Sequence, residues 1–150
     1  EEFVNLDKID GQDESEIEYP QAIIAFGYPE EGEALFRSSS AIHDRHKMKH
    51  ICKTYDEKWF NALNALRVAP SISNCQPWTL EQRENGFDIF ENEYKKKSDI
   101  EKYIKMSMGV ALKHFEIGCR YDNIEIEYRK FDVKNKRKKS YFISVLEKTI

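Results

Sequence analysis

The sequence predicts an α+β fold, an antiparallel sheet packed on one long central helix with a shorter helix beside it. Three observations lead there. Between Asp99 and Arg120, apolar residues recur at helical steps, with Ile104, Met108, Ala111, Phe115 and Cys119 on one stripe. Asn85-Gly86 stands between two short runs of strand character, the signature of a two-residue hairpin. Ile124, Ile126 and Tyr128 alternate with Glu125, Glu127 and Arg129, and Tyr141 to Leu146 supplies a further strand to pair with them.

In chain order, residues 1–19 are acidic and read as a lead-in or surface connector. Ala22 to Phe26 is a short apolar run closed by Gly27-Tyr28-Pro29, which predicts a buried strand. Residues 30–53 are polar. Within them His43, His46 and His50 fall at i, i+3, i+7, with Cys52 close by. That spacing would put three imidazoles on one helical face, as a zinc site requires. The surrounding basic stretch offers no second shell, so a solvated segment is the simpler reading and no metal is expected. Thr54 and Glu57 fit a capping box. Trp59, Phe60, Leu63 and Leu66 follow at helical spacing and predict core.

Pro70 has no N–H and forces Ala69 out of helical geometry, so this helix must stop there. The stretch beyond it, Ser71-Ile72-Ser73-Asn74-Cys75-Gln76-Pro77-Trp78, is rich in uncharged hydrogen-bonding groups. It is clamped between the helix and the hairpin, and such a loop suits a planar ligand with carbonyls and ring nitrogens. Trp78 to Glu84 and Phe87 to Glu91 are the hairpin strands. On the long helix, small Ser107, Gly109 and Ala111 would permit close approach by a neighbour, and Met106, Val110 and Ile117 broaden the apolar surface. His114 reads as a packing residue. The basic run Lys134 to Lys139 reads as an exposed hairpin tip, with phosphate binding as the alternative.

Composition bounds the function. The chain has 150 residues, 40% hydrophobic and 13% aromatic, which is enough for one folded domain over 1–150. Its net charge of −3 gives no electrostatic reason for nucleic acid or an anionic membrane as partner. No apolar run approaches the roughly 20 residues of a spanning helix. Cys52, Cys75 and Cys119 show no paired spacing, and no secretory pattern is visible, so a reducing, cytoplasmic setting is expected. There is no GxGxxG, hence no Rossmann fingerprint.

Ala69-Pro70-Ser71-x-x-Asn74-x-Gln76-Pro77-Trp78 resembles the APSxxNxQPW signature of the FMN-dependent nitroreductase superfamily. The phrase around Gly27-Tyr28-Pro29 resembles that family's GYP strand and turn. MSMGVALKHFEIGCR resembles its D-x-G-I-A-x-x-H-F-E-L-A-A helix, with Ser107 standing where the family writes Asp. The order of these elements is similar to that of a longer-chain, TM nitroreductase-like subgroup, of which this chain resembles the C-terminal portion, over roughly residues 20–130. The N-terminal half of the family pattern, with its basic grip on the FMN phosphate, finds no counterpart.

The resemblance implies a flavoprotein oxidoreductase. FMN would be the cofactor and NAD(P)H the reductant, with a nitroaromatic or quinone-like compound as acceptor. It implies Pro70, Ser71, Ser73, Asn74 and Gln76 along the isoalloxazine or ribityl chain, with Arg45, or Lys47, at the phosphate. It also implies a homodimer, or pairing with a chain that carries the missing half, because the family's FMN lies between two halves or two subunits. The alternative is a non-catalytic subunit that keeps the fold and contributes half an interface.

Overall fold

The structure, a computed structural model, describes Gly27, Tyr28, Glu30 and residues 44–93 and 101–148. The chain divides into two units, Glu1–Phe36 and Arg37–Ile150. In the first, only those three residues are described, and none lies in a regular element. The expected strand at 22–26 therefore lies outside the described residues, as do His43 and Asp99, the expected start of the long helix.

In the second unit the helices are α1 (Met48–Ile51), α2 (Phe60–Val68) and α3 (Glu101–Tyr121). The strands are β1 (Trp78–Arg83), β2 (Gly86–Asn92), β3 (Ile126–Arg129) and β4 (Lys139–Glu147). They form one antiparallel sheet in the order β1-β2-β4-β3. This is the α+β architecture expected from the sequence, with the central helix where the apolar stripe placed it.

Because paired residues share a face, the register sorts the side chains. Trp78, Leu80, Phe87, Ile89 and Val145 point to one side and belong to the core. Thr79, Glu81, Arg83, Asp88 and Ser144 point to the other. The register shifts between Ile89 and Phe90, where β4 holds one extra residue, Phe142. On the core side, α2 contributes Ala62, Leu63 and Leu66 and α3 contributes Met108, Ala111, Phe115 and Cys119, all fully buried. Trp59 stacks on Phe115 with centroids 5.9 Å apart and meets the edge of Phe87 at 5.3 Å. Each buried Leu, Met or Phe side chain among them contributes on the order of 1.5–3 kcal/mol, the alanines less.

Several local expectations shift by a residue or a role. Thr54 does not cap a helix. A single 3-10 turn at Glu57–Trp59 leads into α2, and no side chain caps either start. Phe60 faces solvent, 48% exposed, while Trp59 takes the buried position. The hairpin turn is Glu84-Asn85, since Arg83 pairs directly with Gly86. Gly86 serves a different need, because a Cβ there would sit 2.0 Å from the Val145 carbonyl oxygen on β4. The close helix approach is likewise at Gly118, whose Cβ would come within 2.5 Å of Ala62 Cα, whereas Gly109 has open space beside it. Met106, Val110 and Ile117, with Tyr103 and Tyr121, form an exposed face of α3. No helix among the described residues is long and apolar enough to cross a membrane.

Candidate functional site

Pro70 ends α2 as its chemistry requires. The last helical residue is Val68, and Ala69 turns to φ −55°, ψ 139°. The chain then makes a short turn at Ile72–Asn74 before entering β1. Three non-glycine residues here hold positive φ: Ser73 at 47°, Asn74 at 53° and Gln76 at 46°. A left-handed residue with a side chain costs roughly 1–2 kcal/mol, so three within four positions need external support.

The support comes from thirty residues upstream. The Gln76 side chain, 3% exposed, accepts from the His46 backbone N–H at 2.7 Å and donates to the Asp44 carbonyl at 3.0 Å. The Asn74 amide nitrogen also donates to the Asp44 carbonyl, at 2.9 Å. The Arg45 guanidinium donates to Asn74 Oδ1 at 2.7 Å and reaches the Val68 carbonyl at 3.4 Å. Inside the loop the Gln76 N–H donates to Ser71 Oγ at 2.9 Å. The other side is tied to α3, where the Ile72 N–H donates to Ser107 Oγ at 3.0 Å and that hydroxyl donates to the Tyr103 carbonyl at 2.8 Å.

The structure thus brings Arg45, Ser71, Asn74 and Gln76 into one hydrogen-bonded assembly, although Arg45 lies 29 residues before Asn74. Pro70, Ser73 and Asn74 form its rim, and Ser71 is half-buried. Arg45 is half-buried as well. Lys47 precedes α1 and makes no side-chain capping bond to it. Ser107 and the backbone of Asp44 and His46 belong to the assembly and carry no signal in sequence composition. The traces are that Ser107 is one of the small residues expected to permit close approach to the long helix and that it stands at the family's Asp position.

The remaining candidates fall elsewhere. Cys52 is buried with its thiol donating to the Thr54 carbonyl at 3.1 Å, whereas His46 and His50 are exposed. α1 spans only Met48–Ile51, so His46 and His50 share no helical face. Among the described residues no group of three acidic, His or Cys side chains is placed to hold a metal. His114 Nδ1 bonds the Val110 carbonyl of its own helix at 2.9 Å. Burial pushes the Cys52 thiol up to about 11 and the Cys119 thiol up to about 12. Burial also raises Cys75, with the Ser71 hydrogen bond partly opposing it. All three cysteines are free thiols, protonated at neutral pH. None of the three is therefore an activated nucleophile.

A family model described as "Putative TM nitroreductase" matches residues 7–119 of the chain, a span that includes the whole Pro70 loop and most of α3. No curated protein and no solved structure matches the chain.

Proposed function

The chain belongs to the TM nitroreductase family, and from that premise we propose that it is an FMN-dependent NAD(P)H oxidoreductase whose cofactor edge lies along the Pro70 loop. When bound, FMN supplies the hydride relay from NAD(P)H to a nitroaromatic or quinone-like acceptor. The observation that carries the reading is the loop itself. Three left-handed residues sit in a loop tied to two other segments, through the Arg45 side chain and the Asp44 and His46 backbone on one side and the Ser107 hydroxyl on the other, a strain that a plain helix-to-strand connection has no need to bear.

The residues fit a flavin in a divided way. Arg45 is half-buried and bonds Asn74 and Val68 through Nη1 and Nε, which leaves Nη2 to face a phosphate or a ring carbonyl. Pro70, Ser73 and Asn74, exposed and uncharged, suit the polar edge of the ring or the ribityl hydroxyls. Ser71 and Gln76 act one step back, as positioning residues, because their polar atoms hold the loop and the Asp44–His46 segment. Assembly belongs to the same proposal. The exposed face of α3, with Tyr103, Met106, Val110, Ile117 and Tyr121, is where a second copy or a complementary chain would pack and complete the cofactor site.

The second reading is a non-catalytic subunit of the same fold. It is favoured by one observation, that the Asn74 and Gln76 amides are already bonded within the chain. Titration with FMN, followed by absorbance and by light scattering, decides between them. The enzymatic reading expects a yellow protein binding one FMN per site, with Arg45→Gln weakening retention about tenfold or more, as for a lost hydrogen bond to a charged group. Protein that stays colourless under excess FMN would overturn it, and a 17.8 kDa species unchanged by FMN or dilution would overturn the assembly claim.

A further inference from the structure

Residues 49–54 run along the outer edge of the sheet, where Cys52 forms a parallel bridge with Leu80 of β1. Between this segment and the sheet lies a cleft of 530 Å³, within the size range of small-molecule sites. Three lysines line it from separate places: Lys49 on α1, Lys53 just after it, and Lys139 at the start of β4. None of the three has a carboxylate partner among the described residues. The one carboxylate among the described lining residues, Glu81, is already taken by Lys136 from the β3–β4 connection. Among the described residues the cleft is therefore a concentration of positive charge without carboxylate partners, on a chain whose net charge is −3. None of its lining residues belongs to the Pro70 loop or to Arg45.

We propose that this cleft is a binding site for a small molecule bearing a chain of two or more phosphates, separate from the site along the Pro70 loop. Lysine ammonium groups are compact point charges with three donors each, suited to terminal phosphate oxygens from several directions. Three of them spread along a cleft much larger than one phosphate select a chain of phosphates over a single one. The exposed Thr54 hydroxyl adds a neutral donor beside Lys53. The proposal does not depend on the flavin reading.

The test is calorimetric titration of the full chain with sodium tripolyphosphate at low salt, where exposed charges are least screened. Tripolyphosphate should bind at least tenfold more tightly than orthophosphate. The triple variant Lys49→Gln, Lys53→Gln, Lys139→Gln should lose at least tenfold in affinity. A control with the same charge change, Lys105→Gln, Lys134→Gln, Arg137→Gln, should lose less than threefold. Equal loss in both variants would overturn the proposal, since net charge alone would then account for binding. Equal affinity for orthophosphate would overturn the phosphate-chain claim, and displacement of tripolyphosphate by FMN would overturn the claim of a separate site. Should the triple variant unfold, labelling of the wild-type chain with acetic anhydride decides instead. Tripolyphosphate should protect Lys49, Lys53 and Lys139 and leave Lys105 and Lys134 unprotected, and uniform labelling would defeat the proposal.

Discussion

The two ends of α2 are held by opposite means. At its start, Trp59 stacks on Phe115 and meets Phe87 edge-on, and no side chain caps the helix. At its end, the chain leaves through Pro70 into a loop fixed by hydrogen bonds to Asp44, His46 and Ser107. The first end is secured by apolar area, which is large in total and undemanding in direction. The second is secured by a few directional bonds that hold three residues in a conformation they would not choose. The difference implies a division of labour. The aromatic end supplies stability, and the loop end spends part of it on a fixed polar surface.

Phe115→Ala is the largest expected effect and tests the aromatic end. Phe115 is fully buried and touches both other rings of the cluster, so its removal leaves a cavity under the sheet. The expected loss is about 3–5 kcal/mol by urea denaturation. A loss below about 1 kcal/mol would mean that the cluster is not what holds α2 and α3 to the sheet.

Gln76→Ala comes next and tests the loop end. It deletes the acceptor for the His46 N–H and the donor to the Asp44 carbonyl at a position that is 3% exposed. The expected cost is about 1–3 kcal/mol. It should come with a local signature the core variant lacks, namely faster amide exchange at His46. Exchange at His46 that matches the wild type would show that the upstream segment is held by something other than Gln76.

The two ends are unequally legible in the sequence, for a physical reason. Burial imposes a period, so the stripe on α3 marks the core in the order of residues alone, whereas the alternation in β3 marks a strand whose residues stay half-buried or exposed. Pro70 announces the helix stop because its ring leaves no other choice, and Val68 is indeed the last helical residue. Glycine is more ambiguous. Asn85-Gly86 looks like the turn itself, yet Gly86 is needed for the approach of β4, and the helix contact falls to Gly118 instead of Gly109. Each of these depends on a neighbour distant in sequence. The same holds for the loop, since its polar composition is plain while its partners Asp44 and His46 lie about thirty residues away. The family resemblance places the loop in the chain without revealing that Gln76 faces inward.

The smallest expected effect has the opposite sign. Ser73 holds φ 47°, ψ 27° and is exposed, so its hydroxyl can be satisfied by solvent. Replacing it with glycine removes the left-handed penalty of about 1–2 kcal/mol. Glycine also adds freedom to the unfolded chain, which takes back roughly 0.5–1 kcal/mol. Ser73→Gly should therefore stabilise the protein by up to about 1 kcal/mol, or about 2–4 °C in Tm for a chain of this size. Neighbouring Asn74 should behave differently. It shares the positive φ, but Asn74→Gly also removes the bonds to Arg45 and Asp44, so it should destabilise. If Ser73→Gly instead lowers Tm, the loop conformation owes its stability to the Ser73 side chain itself. If both glycine variants raise Tm, the bonds to the upstream segment contribute less than the strain they oppose, and the contrast between the two ends of α2 fails.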